Sequence, residues 1–336
     1  MLVAIICALA LVAALPDPAV ASPPKKPNIL HLVADDMRPN LGAYGHSFMK
    51  TPNLDKLAAS GLLFDFAYTN FAYCAPSRNS FMSGRRPDRT RALNFRSTFR
   101  ECRTSQAPGC GPGEAWTTMP QFFLRQGYFT SAAGKVFHDG MDDPPSWSYP
   151  SNQTKWLPCS AGDVMDPNGN FCGLTAQSAL PYTDEDLALT EGIKRMRLAH
   201  ASGKPWWVSI GVHRPHVHFR VPMGFHGPEL YPNGTGDLVK PPRHPEAPIG
   251  APWMSGNWQG GDINDPAHST GRYQGWPTDI NGCAECIVPD DRAVEYRRWY
   301  YAAVSWSDHK LGEAMTELTQ LGAEKSTITL FHSDVR

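Results

Sequence analysis

Cys74-Ala75-Pro76-Ser77-Arg78, followed by Ser83-Gly84-Arg85, sets a sulfur one helical turn ahead of a guanidinium. A nucleophile in the first turn of a helix faces free backbone N–H groups and the positive end of the dipole, which favour an anion. Arg78 adds a fixed cation that can hold an oxyanion from two directions. Asp35-Asp36 ends an apolar run. Adjacent carboxylates are costly unless a cation neutralises them, and hard oxygen donors suit Ca²⁺, or Mg²⁺, better than a soft metal. Alone, such a pair is more often a solvated turn. Gly134-Lys135-Val136-Phe137-His138 and Gly211-Val212-His213-Arg214-Pro215-His216 add a cation and groups able to move protons.

These residues need a scaffold that brings them together. Residues 28–34 form a short apolar strand pattern, and Thr51-Pro52 opens a helix that Gly61 stops. Residues 62–69 read as a second strand. Thr118-Met119-Pro120 opens a helix closed by Gly127, and a strand follows over 128–133. A capping start at 183–186 leads a helix to Gly203, then a strand over 205–212, a largely helical 289–321 and a last strand over 326–332. Strands separated by helices predict an α/β fold with a mainly parallel sheet. Asp35 and Asp36, Lys135 and His138, His213 and His216, and Ser333-Asp334 each follow a predicted strand. The carboxyl ends of strands are where open parallel sheets bind ligands. Residues 219–288 are rich in Pro and Gly and read as a long excursion over one face.

Composition narrows the class. The 336 residues carry 31 Lys plus Arg against 32 Asp plus Glu, a net charge of −1, which argues against a basic nucleic-acid binder. Gly and Pro make up about 18% of the chain, against a usual ~12%, as in a loop-heavy globular protein. The apolar run 2–15 is shorter than the ~20 residues that span a bilayer. With Ala19-Val20-Ala21 as a small-x-small site it predicts a signal peptide over 1–21. No positive charge follows Met1, so a buried helix or an uncleaved anchor stays open. No later segment predicts a membrane span. Once Cys7 leaves with the signal, seven cysteines remain. Cys102/Cys110, Cys159/Cys172 and Cys283/Cys286 form local couples, and Cys74 is left over. A metal knuckle at Cys283 and Cys286 lacks a second pair. Asn152 and Asn233 head glycosylation sequons. Eight Arg between 78 and 103 face only Asp88 and Glu101. They make either an electropositive mouth for anionic glycans or ordinary paired surface charge.

The Cys74–Arg78 segment with Ser83-Gly84-Arg85 resembles the signature of the sulfatase family, Cys-x-Pro-Ser-Arg followed by a Thr/Ser-Gly pair and usually Arg. The resemblance implies that Cys74 is converted to Cα-formylglycine by the formylglycine-generating enzyme in the secretory pathway. It implies one divalent ion, usually Ca²⁺, on Asp35, Asp36, residue 74 and Asp334. By the same matching Arg78, Lys135 and His138 act on the sulfate and nucleophile, and His216 assists the leaving group. Arg214, His213, Arg91 and Asn94 are placed at the substrate; His213 and His218 are equally explained as loop lining. The implied fold is an alkaline-phosphatase-like sandwich with a central, mainly parallel sheet flanked by helices. The implied reaction is hydrolysis of a sugar O-sulfate or small sulfate ester. A hydroxyl of the hydrated aldehyde attacks sulfur, and sulfate is expelled as the aldehyde reforms.

Asp35-Asp36-Met37-Arg38-Pro39-Asn40-Leu41-Gly42, Gly84-Arg85-Arg86-Pro87-Asp88, Lys135-Val136-Phe137-His138 and 213–219 most resemble the iduronate-2-sulfatase subgroup. Ala92-Leu93-Asn94 depart from it where an aromatic and an acid are usual, which leaves the sugar open. The implied location is lysosomal or extracellular, or periplasmic in a bacterium. Family members follow the late Asp with Asn or His and continue through another active-site Lys and a smaller C-terminal domain; here Val335 follows Asp334. The expectation is therefore that 22–336 is an incomplete N-terminal catalytic domain, a fragment or truncated product. A phosphonate or phosphodiester hydrolase and an inactive glycan-binding remnant are the alternative readings.

Overall fold

The computed structural model describes residues 26–95, 97–101, 111–165, 171–180, 182–225, 230–239 and 290–335. The predicted signal peptide, both outer cysteine couples and most of the 219–288 excursion lie outside these. Asn28–Ala34 (β1) is buried almost throughout, as expected of an interior parallel strand covered on both faces. Pro52–Ser60 (α1), Cys74–Ser83 (α2), Pro87–Thr90 (α3) and Met119–Arg125 (α4) follow, then Phe129–Gly134 (β2). Val164–Met165 (β3) and Phe171–Leu174 (β4) precede the long helix Asp184–Ala201 (α5) and the strand Trp206–Val212 (β5). Phe219–Pro222 (β6), Asp290–Gln320 (α6) and Thr327–Ser333 (β7) complete the described elements. Two of the three predicted helix starts are capping boxes, Thr118 with Gln121 and Thr183 with Asp186, whereas the Thr51 side chain does not cap Pro52–Ser60.

The central sheet has the order β2-β5-β1-β7 and is wholly parallel. Leu30, Leu32, Val208 and Ile210 on one face pack against Leu189 and Met196 of α5 and Val304 and Leu311 of α6. Ile29, Ala132 and Trp207 on the other meet Met82 of α2, Phe99, Trp147 and Phe123 of α4. A small second sheet, β3-β4-β6, buries Phe171, Phe219 and Val221 against Trp299 and Trp306 of α6. A disulfide between Cys159 and Cys172 ties the loop before β3 to β4.

The strand expected over 62–69 is not formed. Among the described residues it joins no ladder, and Leu62, Phe64, Phe66 and Tyr68 stand exposed. Alternation supplies a face, but a strand also needs a neighbour's backbone, and both edges of β1 are taken by β5 and β7.

Register sets the height of the strand ends. Ala34 lies opposite Val212 and Ser333, and Gly134 opposite Gly211. Four neighbouring strands thus end within about one residue of each other, and the chain leaves all four on the same side. Gly134 and Gly211 make the levelling possible. A Cβ on Gly134, at φ +73°, would fall 2.0 Å from the Gly211 carbonyl oxygen, and one on Gly211 would fall 2.1 Å from that of Lys135. Only glycine lets these backbones cross so closely.

Candidate active site

The residues just beyond the level strand ends converge. Asp35 follows β1, Lys135 follows β2, His213 follows β5 and Asp334 follows β7, and each is buried. Cys74 opens α2 as a buried free thiol. Its helix starts here because Pro76 lies in the first turn, where no N–H is missed, and stops at Gly84, φ +64°.

Arg78, one turn on and fully buried, ties the centre together. Its Nε donates to Asp334 Oδ2 at 2.8 Å, Nη2 to Asp35 Oδ1 at 3.0 Å, and Nη1 to the Val136 carbonyl at 3.0 Å and to that of Lys135. The Lys135 ammonium pairs with Asp35 Oδ2. The Asp36 N–H donates to Asp334 Oδ1 at 3.1 Å, and the Ser77 hydroxyl donates to the Asp334 carbonyl. On the open side His216 Nε2 lies 3.7 Å from Asp36 Oδ2, and the His213 and His216 rings meet edge-on at 4.9 Å. His138 stacks on Phe95 at 4.3 Å, which rests in turn on Tyr73.

Three carboxylates thus face two fixed cations. Burial alone would raise Asp35, but Lys135 and Arg78 outweigh it and hold its carboxyl well below the usual range. Asp36 is raised by burial, and Asp334 is pushed up to about 8 by burial and by Asp35, against the pull of Arg78. Burial and the neighbouring Asp35 also drive the Cys74 thiol far up, so it stays protonated and is a poor thiolate nucleophile. Burial, then the Lys135 and Arg78 charges, lower His138 to about 3 and keep it neutral.

This donor set fits a hard divalent cation. The Asp35 and Asp36 carboxylates and the Cys74 sulfur offer donor atoms within 4.8 Å of one another, and Asp35, His213 and His216 form a second such group. Asp334 stands beside them through Arg78 and the Asp36 amide. Burial raises Asp36 and Asp334, an effect a bound cation would oppose, and oxygen donors favour Ca²⁺ or Mg²⁺.

The sulfatase family model matches residues 27–334. The chain belongs to the sulfatase family. It is 32% identical over 327 residues to iduronate 2-sulfatase of Mus musculus, covering 91% of this chain and 54% of that protein. The enzyme of Homo sapiens is 33% identical over 325 residues with the same coverage. The chain therefore spans about half the length of the curated relatives it matches. Among solved structures, the phosphonate monoester hydrolase of Agrobacterium radiobacter superposes with a TM-score of 0.58 at 21% identity, over 92% of this chain and 62% of that one. That likeness is one of fold, and the alkaline-phosphatase-like α/β architecture of the sulfatase family is the fold of this chain.

The remaining expected site residues are placed as follows. Arg214 is fully buried, its Nη1 3.1 Å from Asp184 Oδ2 and its carbonyl accepting from Ser307, so its guanidinium supports the loop from below rather than lining the open face. Arg91 is exposed at the end of α3 with φ +56°, and Asn94 is half-buried next to Phe95. His218 packs at a tilt against Trp156, ring centres 5.1 Å apart. The Arg-rich segment divides. Arg78 and Arg100 are internal, Arg100 pairing with Asp143 and donating to the carbonyls of Glu114 and Trp116. Arg85, Arg86, Arg89 and Arg91 are at the surface, while Arg96 and Arg103 lie outside the described residues. Asn152 is half-buried and bridged to Ala133, and Asn233 is exposed beside Arg298.

Three contributors went unread in the sequence. Glu185 Oε1 accepts the N–H groups of His213 and Arg214, at 3.1 and 2.9 Å, and Asp184 pairs with Arg214. The capping role of 183–186 already accounted for an acidic helix start. Tyr300 sits in an aromatic run, Trp299-Tyr300-Tyr301, where spacing gives no sign of which ring reaches the site. No helix among the described residues is long and apolar enough to cross a membrane.

Proposed function

We propose that this chain is the catalytic portion, residues 22–336, of an exported sulfuric ester hydrolase that removes an O-sulfate from a sugar. The single observation that carries the proposal is the position of Cys74. It opens α2 beside Asp35 and Asp36, with Arg78 bridging Asp35 to Asp334, in a chain of the sulfatase family. The buried, protonated thiol is a poor nucleophile as it stands, which supports conversion of position 74 to Cα-formylglycine. That residue, once hydrated, supplies a hydroxyl as nucleophile toward sulfur. A Ca²⁺ or Mg²⁺ ion held by Asp35, Asp36, Asp334 and residue 74 would supply charge neutralisation for the sulfate oxygens.

The chain's own residues do the rest. Arg78 fixes Asp35 and Asp334 and, together with the Lys135 ammonium at the same centre, keeps Asp35 ionised. Such prearranged charge is where most of the rate enhancement at anionic transition states arises. His216, on the open side, gives a proton to the departing sugar oxygen, and neutral His138 accepts one from the nucleophile. Glu185 and Asp184 hold the loop that carries His213 and His216. The iduronate 2-sulfatase relatives support a sulfated, uronate-containing glycan as substrate and a secretory route to lysosome or exterior.

Mass spectrometry of the tryptic peptide 57–78, from protein made together with the formylglycine-generating enzyme, should find the aldehyde at position 74. The same material is assayed on an aryl sulfate, a 2-O-sulfated uronide and a phosphodiester. Preference for the sulfate esters, lost in Cys74→Ala, is expected; a thiol at 74 with intact turnover, or preference for the phosphodiester, defeats the proposal.

A further inference from the structure

Asp36 has a left-handed backbone, φ +59°, which aspartate adopts more readily than most residues with a Cβ but still at some cost. Asp334 Oδ1 accepts the Asp36 N–H at 3.1 Å, and two further groups from elsewhere fasten the turn. The Tyr300 hydroxyl, from α6, donates to the Asp36 carbonyl at 3.0 Å and accepts the Arg38 N–H at 2.7 Å. The Ser333 hydroxyl, at the end of β7, accepts the Met37 N–H at 2.9 Å. One phenol therefore spans the turn as both donor and acceptor, and a serine fastens its middle. The outcome is that the Asp36 carboxylate lies among the Asp35 and Cys74 donors and 3.7 Å from His216 Nε2.

We propose that Tyr300, with Ser333, is a positioning residue of the metal centre, holding Asp36 in the strained turn that aims its carboxylate at the ion. The inference rests on the divalent-metal reading of Asp35, Asp36 and Asp334. The Tyr300 hydroxyl is occupied by the Asp36 carbonyl and the Arg38 N–H, and the ring packs against Phe219 at 5.9 Å and Tyr301 at 6.3 Å. Replacing it by Phe keeps this packing and removes only the hydroxyl. The turn is then free to relax toward an ordinary backbone conformation, carrying the carboxylate away from its partners. Groups that orient a metal ligand from outside the coordination sphere are typically worth 10–100-fold in affinity.

The test titrates the full chain with Ca²⁺ alone and with Mg²⁺ alone by calorimetry, for wild type, Tyr300→Phe, Ser333→Ala and Tyr301→Phe. The melting temperature of each is measured in chelator. Tyr300→Phe should bind at least about 10-fold more weakly while its metal-free melting temperature stays close to wild type. Ser333→Ala should shift affinity in the same direction and decides the matter should Tyr300→Phe not fold. Tyr301→Phe, whose ring packs on Phe48 and Tyr231, should bind as wild type. Equal affinity in wild type and Tyr300→Phe, or an equal loss in Tyr301→Phe, overturns the proposal. Absence of saturable binding in wild type overturns the metal reading itself, and the wild-type titration alone reveals it.

Discussion

Removing the Arg78 guanidinium tests the electrostatic logic of the centre. Arg78 and both of its carboxylate partners, Asp35 and Asp334, are fully buried. Deleting one member of a buried ion pair typically costs 3–5 kcal/mol, roughly, because the charge left behind has no partner. Arg78→Met takes the cation from Asp334 while Asp35 keeps Lys135, so it belongs at the lower end, about 3 kcal/mol. Domains of ordinary stability hold only about 5–15 kcal/mol in all, so the variant loses a large share of its reserve. Arg78→Lys keeps the charge, but one ammonium cannot reach Asp334, Asp35 and the Val136 carbonyl together. It loses at least one charge-assisted bond, roughly 1.5–3 kcal/mol. Ca²⁺ should recover part of the loss in both variants, since it neutralises the same carboxylates. Urea unfolding followed by the fluorescence of the chain's 10 Trp, with and without Ca²⁺, measures all three quantities. An Arg78→Met protein within about 1 kcal/mol of wild type without Ca²⁺ would mean that Asp35 and Asp334 do not depend on this cation.

Other outcomes follow from the same geometry. Because burial pushes Asp334 up to about 8, Ca²⁺ binding near pH 7 should expel a proton and tighten as pH rises. Calorimetry in buffers of unlike ionisation enthalpy measures this, and proton-neutral binding would contradict it. In the small second sheet, burial alone would raise Asp163, but Arg220, Ser178 and the Ser160 amide hold it below the usual carboxylate range. Its contribution to stability is therefore present above the unfolded value, about pH 3.9, and is lost as pH falls through the lower folded value. Asp163→Asn should flatten the acid limb of the stability profile, and an unchanged limb would refute the assignment. Cys159→Ser with Cys172→Ser should cost about 3 kcal/mol in urea unfolding, from the loop the disulfide closes; no change would mean the loop is held by other contacts.

The strand ends were legible because each joins two strong signals, an apolar run and an abrupt polar residue. Asp35, Lys135, His213 and Asp334 all obey this pattern, and all four lie beyond neighbouring strands of one sheet. Residues 62–69 show the limit of the same signal: alternation states which side would be buried, not whether a partner strand is available. Arg214 shows another. Its flanking words marked a functional loop, but no local pattern says whether a guanidinium faces outward or, as here, turns inward to Asp184. Glu185 and Tyr300 were illegible because their importance lies in contacts with residues 28 and 264 positions away, Glu185 with His213 and Tyr300 with Asp36.

The pairing of β1 with β7 also dictates an order of assembly. Asp36 and Asp334 meet across a sequence separation of 298 residues, so the loop between them must close before the centre exists. Contacts this distant form late, since the entropy of closing the intervening chain must be met by other elements first. A nascent polypeptide therefore cannot join Asp334 to Asp35 and Asp36 until the residues of β7 have emerged and docked. The Arg78 bridge then works as a mark of completion: it forms only once synthesis has passed Asp334 and the first and last strands lie side by side.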